Sequence, residues 1–203
     1  MERIKNSMLS ISKTLFVCLT LSLVSISISA QGSTWEIDPN HSNINFGVSY
    51  FKVGEIKGVF KKYKGNITQQ KDDIASINIT IQTASINTNQ TDRDKHLKTK
   101  DFFDANKHPE IKFISTEIIK TANNEYTIKG NFTMTGITKP IVLKAVDNGS
   151  YVHPRFKTDN KFITVTGIIK REDFNVGTNY APAKFALGND VDLVAEIQLT
   201  KRK

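Results

Sequence analysis

From Asn43 onward the chain alternates. Ile44, Phe46 and Val48 fall on one side of an extended segment, with Asn43, Asn45, Gly47 and Ser49 on the other. Ile77, Ile79 and Ile81 repeat the pattern against Asn78, Thr80 and Gln82. Tyr126, Ile128, Phe132 and Met134 do so again with Gly130 on their face, and Ile141, Leu143 and Ala145 follow a Thr-Lys-Pro turn at Thr138–Pro140. Val191, Leu193, Ala195, Ile197 and Leu199 close the chain. A period of two places successive side chains on opposite faces of a strand. One apolar and one polar face indicates antiparallel sheet, because buried parallel strands read as unbroken apolar runs. Short strands separated by Gly and Asn turns predict a sandwich or barrel, so the fold class is all-β.

One stretch breaks the rhythm. Thr91–Phe113 reads TDRDKHLKTKDFFDANKHPEIKF, and its first part, Thr91–Lys100, is charged, with Leu97 its main apolar residue. A helix that poor in apolar positions is not a core helix. The pattern predicts one short helical insert crossing the end or edge of the sheet, anchored by Phe102 and Phe103, with Pro109 returning the chain to a strand. In a closed barrel that position is the mouth. A barrel of about eight strands is either filled by its own side chains or holds one small ligand. Gly58 and Gly130 on inward positions leave room for a ligand or mark bends at barrel corners. Periodicity alone does not separate a hollow barrel from a filled one.

The N-terminus is of another kind. Arg3, Lys5 and Lys13 precede the apolar run Leu15–Ile28, and Ile28-Ser29-Ala30 offers a small residue for cleavage. The run is shorter than the ~20 residues that span a bilayer. Residues 1–30 are therefore expected to be a cleaved signal peptide, and 31–203 one exported domain, periplasmic or secreted. Cys18, the single cysteine, lies within the leader, so thiol chemistry and disulfides are absent from the expected mature chain. The formal charge is +8. Its lysines are dispersed and not interleaved with aromatics, which indicates a solvated surface and not a nucleic-acid site.

Four blocks carry a family likeness: WEIDPNHSNINF at Trp35–Phe46, KGVFKKYKG at Lys57–Gly65, the Thr91–Phe113 segment, and GNFTMTGITKPIVL at Gly130–Leu143. In order and spacing, from Trp35 to about Leu199, the chain closely resembles the YceI-like family. The resemblance implies a lipocalin-like antiparallel β-barrel. It also implies a ligand, a long-chain polyisoprenoid or similar amphiphile, held in a tunnel for transport, storage or sequestration without catalysis. Such a ligand needs an apolar tunnel and polar groups at its mouth. Arg93, Lys95, His96 and Lys98 are then the head-group candidates, since guanidinium and ammonium groups suit phosphate oxygens. Tyr50 joins them at a position where many relatives carry a histidine, and it supplies a hydroxyl without charge. Phe46, Phe102, Phe113 and Phe132 are the candidates for contact with the chain of the ligand; Phe60, Phe103, Phe162 and Phe174 are further candidate walls. His41 is expected to cap the barrel end.

Reactive constellations are not legible. The chain has no nucleophile elbow, phosphate-binding Gly-rich loop, zinc-type His pair or dinucleotide fingerprint. No catalytic, metal or cofactor residue is nominated. Asp92, Asp94, Asp101 and Asp104 are interleaved with Arg93, Lys95, Lys98 and Lys100, which favours caps and surface ion pairs over a cation site. Two other readings stay open: a lipid-modifying hydrolase or isomerase using the same pocket, and a structural or stress-response secreted barrel with a filled core. Partnership with an amphiphilic lipid is expected, without a stable membrane span, and a homodimer is compatible with the sequence.

Overall fold

The computed structural model describes residues 32–71 and 73–202; the expected signal segment 1–30 lies outside them. Strands β1 (Ser33–Ile37), β2 (Asn43–Tyr50), β3 (Gly54–Phe60), β4 (Tyr63–Gln70), β5 (Asp73–Gln82) and β6 (Ile86–Asn87) precede helix α1 (Thr91–Leu97). Then come β7 (Glu110–Lys120), β8 (Glu125–Met134), β9 (Ile137–Val152), β10 (Asp159–Lys170), helix α2 (Ala181–Ala186) and β11 (Leu187–Lys201). Neighbouring strands run antiparallel in the order β1-β4-β5-β7-β8-β9-β10-β11, and β1 pairs with β11 to close the ring. This is an eight-stranded antiparallel barrel.

Three staves of that barrel are broken in two. β11 pairs with β1 at residues 199–201 and with β2 at residues 187–196, so β2 continues β1 along the same neighbour. In the same way β3 runs on into β4 and β5 into β6, because β2–β3–β6 form one ladder and β1–β4–β5 another. β6 has only two residues, and the segment carrying α1 follows it. Register irregularities at Thr68/Gln69, Ser115/Glu117 and Phe162/Ile163 supply the bends that let the sheet curl.

The two ends differ. At one end Trp35, Ile37, Ile74, Tyr126 and Leu199 are buried together and form a floor. The other end carries the β2–β3 turn, the α1 segment, the β8–β9 turn and the 171–186 segment with α2, as the strand directions require. The β8–β9 turn is Thr135-Gly136, both at positive φ (51° and 77°), the geometry of a tight two-residue hairpin. The expected Thr-Lys-Pro turn is thus displaced: Thr138–Pro140 lies inside β9, where Pro140 faces Asn131 of β8. Pairing of β9 with β10 begins only at Lys144, so the missing N–H of Pro140 falls where β9 has one neighbour.

Helix α1 ends at Leu97, earlier than the expected charged stretch, and the chain continues by turns, with Thr99 N–H donating to His96 C=O. Helix α2 was not anticipated, because its sequence APAKFA buries only Ala183 and so shows no helical apolar stripe. Phe162, a candidate wall in the sequence, points outward and stacks on Tyr151 (6.3 Å, 14°), while Ile163 takes the inward place. The β2–β3 turn holds Phe51 and Lys52 at φ 48° and 60°. Left-handed backbone costs about 1–2 kcal/mol for each such L-residue, so this turn is strained.

Candidate ligand-binding cavity

The inward positions of the staves enclose a cavity of about 180 Å³. Its wall draws Ile44, Phe46 and Val48 from β2, Ile77, Ile79 and Ile81 from β5, and Val191, Leu193, Ala195 and Ile197 from β11. These are the same alternating sets that the sequence shows. Phe102, Phe103 and Leu97 cover it from the α1 segment, and Val176 and Arg171 from the segment before α2. The floor residues Trp35, Ile37, Ile74, Tyr126 and Leu199 are buried but do not line it, so the cavity is set toward the helical end. A broader depression of about 380 Å³ lies on the outer face beside Glu36, Lys64, Asn66 and Asn78. Its wall mixes Ile37 with charged and amide side chains and does not suit an apolar chain.

Phe46, Phe102, Phe113 and Phe132 all stand on the wall of the cavity. Two of them are seated by glycine. A Cβ on Gly58 would lie 2.3 Å from Cζ of Phe46, and one on Gly130 would lie 2.4 Å from Cζ of Phe113. The glycines let these rings lie flat against the wall instead of standing into the lumen. Gly130 also pairs with Ser115 where the β7–β8 register shifts, so it marks a bend and makes room at once. Phe60 bridges Phe46 (5.6 Å) and Phe103 (6.1 Å), and Phe174 packs edge-on against Phe132 (5.4 Å) without lining the cavity.

The basic candidates sit around the helical end but not on the cavity wall. Arg93 donates from Nε to Thr88 Oγ1 (2.7 Å) and from Nη2 to the Thr88 carbonyl (2.8 Å). Asp94 accepts from Thr88 N–H (2.8 Å) and from its hydroxyl (2.6 Å). Together these two fasten α1 to Thr88, the residue that follows β6. Lys95 pairs with Asp92 at 3.2 Å in solvent, and Lys98 is half-buried at the helix C-terminus. His96 comes nearest the wall: its ring packs edge-on against Phe102 (5.1 Å) and Tyr180 (4.7 Å), and Nε2 meets Asp101 at 3.0 Å. Tyr50 is exposed at the end of β2, its ring against Phe51 at 4.6 Å.

Arg171 escaped the sequence reading. It is 3% exposed and is the one polar side chain on the wall among the described residues. Nε donates to Gly188 C=O (2.8 Å), Nη1 to Val176 C=O (2.8 Å), and Nη2 to Glu172 Oε1 (3.0 Å), with longer contacts to Ala183 and Leu187 carbonyls. One guanidinium thus ties the turn after β10, helix α2 and the start of β11 together. Gly177, at φ 72°, gives it space: a Cβ there would lie 3.0 Å from Phe102 and 3.2 Å from Arg171 Nη1. The signal was in the alternation. Ile163, Val165 and Ile169 line the cavity at odd positions, and Arg171 continues their parity.

His41 lies not at a barrel end but in the jog between β1 and β2, alongside the interior of β11. Its Nδ1 meets Asp38 Oδ2 at 2.7 Å; Asn40 N–H and Gln198 Nε2 also donate to that carboxylate (2.9 and 3.2 Å). Partial burial works to raise the Asp38 carboxyl, but the bonds from His41 and Asn40, with the His41 charge, outweigh it and hold it below its usual range. Tyr63, donating to Ser42 C=O nearby, is pushed up by burial and by the Asp38 charge.

Among the described residues no three His, Cys, Asp or Glu side chains gather as a metal set, and no helix is long and apolar enough to cross a membrane. The sequence profile of the YceI-like domain matches residues 35–199. Protein YceI of Escherichia coli is 33% identical over 179 residues, covering 86% of this chain and 91% of that protein. Among solved structures, Burkholderia cenocepacia BcnA superposes with a TM-score of 0.72 at 21% identity, over 80% of this chain and 98% of its own. A polyisoprenoid binding domain from Saccharophagus degradans, implicated in plant cell wall breakdown, superposes at 0.61 with 13% identity, over 83% and 98%.

Proposed function

We propose that this chain, which belongs to the YceI-like family, is an exported binding protein for an amphiphile with a long apolar chain, of the polyisoprenoid class. The observation that carries the reading is the wall of the cavity: side chains from all around the barrel, apolar except for Arg171. Burial of each CH₂ equivalent contributes about 0.8 kcal/mol, so one five-carbon isoprene unit gives about 4 kcal/mol before the costs of association. A wall without a nucleophile or base favours carriage or storage over chemistry. The polyisoprenoid-binding domain that shares the fold supports the same ligand class. Cleavage after Ala30 would release the barrel into the periplasm or medium.

The volume sets a condition. An apolar cavity of roughly 150 Å³ takes up benzene, so about 180 Å³ receives a short segment of chain. A longer chain has to displace the roof, Leu97, Phe102 and Phe103, which hangs from the α1 segment and not from a stave. The head group then lies at the helical end, where His96 touches the roof through Phe102. Native mass spectrometry of protein purified from its own host, followed by lipid extraction, tests this. A bound isoprenoid-like mass is expected. Protein that stays ligand-free and takes up no polyisoprenoid on titration would leave the filled barrel as the better reading.

A further inference from the structure

Two elements at the helical end of the barrel each push a large apolar side chain into solvent. At the β2–β3 turn Phe51 is 55% and Val53 93% exposed, beside Tyr50 at 42%. On α2 Phe185 is 83% exposed, on a helix that buries only Ala183. These elements are stitched together: Phe51 N–H donates to Ala186 C=O at 2.7 Å, and Tyr50 faces Leu187, which lines the cavity. The patch is therefore continuous with the covered end of the cavity. Lys52 and Lys184 stand next to Phe51 and Phe185, and neither is in an ion pair among the described residues. Three acids on adjoining segments are already matched, Glu55 with Lys57, Glu172 with Arg171 and Asp190 with Lys170.

We propose that this patch docks the barrel on an anionic phospholipid surface, with Phe51, Val53 and Phe185 entering the headgroup boundary and Lys52 and Lys184 meeting lipid phosphates. Aromatic and aliphatic tips flanked by lysines are the composition of shallow interfacial anchors, and a basic protein is drawn to such a surface. Charge complementarity favours a bilayer over a second copy of the exported chain, whose formal charge of +6 (+8 for the whole sequence less +2 for residues 1–30) repels its like. The area argues the same way: six side chains fall short of the ~800 Å² and about 20–30 residues per partner of a stable dimer. The backbone adds an independent sign. Phe51 and Lys52 occupy positive φ, where Asn-Gly is the natural choice for a tight turn, so the turn holds an unfavourable pair that happens to supply an apolar and a basic tip. The purpose of docking, transfer of an amphiphile between bilayer and cavity, rests on the proposed function; the docking itself does not.

The test is flotation of the full exported chain with vesicles of equimolar phosphatidylglycerol and phosphatidylcholine, against phosphatidylcholine alone, without added ligand. The intact protein is expected to float at least tenfold better with the anionic vesicles, and less as salt rises. The double variant F51N/K52G keeps the turn in residues that suit it. It is expected to hold or raise the melting temperature while losing most vesicle binding; F185S should act alike. F156S, which removes a 63% exposed ring from the β9–β10 loop at the floor end, should leave binding unchanged. Binding lost in F156S but kept in F51N/K52G would place the contact at the wrong end and overturn the proposal. So would no vesicle binding by the intact protein, including the case where it forms a dimer that F51N/K52G dissociates. Ligand uptake measured on the same samples by native mass spectrometry separates a failure of docking from a failure of the cavity reading.

Discussion

Replacing Arg171 by Met removes the one guanidinium on the cavity wall and keeps much of its volume. Two backbone carbonyls, Gly188 and Val176, then lose 2.8 Å charge-assisted bonds in a site where Arg171 is 3% exposed. A buried acceptor left without its donor costs about 1–3 kcal/mol. The bond to Glu172 adds little, because that carboxylate is half exposed and screened. The contacts to Ala183 and Leu187, at 3.4 and 3.3 Å, are weak. The expected loss is therefore about 2–6 kcal/mol, a fall in melting temperature of roughly 4–24 °C for a domain of this size. It should be concentrated in the segment that Arg171 ties down. Thermal denaturation followed by circular dichroism gives the loss, and limited proteolysis locates it, with cleavage between Asn175 and Leu187 rising well before the staves unfold. R171K keeps the charge but not the fork, and should fall between. A melting temperature unchanged within a degree or two would refute the claim that one guanidinium holds α2 on the barrel. So would a loss of stability with no new cleavage in that segment.

Three other outcomes follow from the same geometry. Ala195, a small residue on the wall, becomes a plug when changed to Phe: A195F should abolish uptake of polyisoprenoid with a modest stability loss, whereas F113A should weaken charged and uncharged chains alike, both by titration calorimetry. The Asp38 carboxyl, held low by His41 and Asn40, contributes stability that is fully present above the ordinary Asp pKa of about 3.9 and is lost as pH falls through the lower folded value. Melts below about pH 4 should show that loss, and D38N should flatten it; an identical acid limb in the variant would count against the jog network. Finally, N-terminal sequencing of exported protein should begin at Gln31, and a chain starting at Met1 would rule out the signal peptide.

Much of this protein is readable along one strand at a time. Ile44, Phe46 and Val48, or Val191 to Ile197, alternate because a pleated strand with one wet side demands it, and those residues wall the cavity. The charged insert is legible too, since a segment so poor in apolar residues has to lie outside a core. Local signals also have local failures: the Thr135-Gly136 turn was hidden by a more conspicuous Pro140, and α2 by having only one buried residue. What alternation leaves open is everything that depends on closure. Pairing of β1 with β11 brings together residues at opposite ends of the sequence, and only the summed register around the ring decides how much space remains inside. The same holds for Arg171, whose acceptors at Val176, Ala183 and Gly188 converge only when β10 turns back into β11. Phe51 and Phe185 stand more than a hundred residues apart, and the Phe51–Ala186 hydrogen bond with the Tyr50–Leu187 pairing makes them one surface. A two-residue period tells each side chain which face to take; the partners it meets there are set by tertiary contacts far apart in the chain.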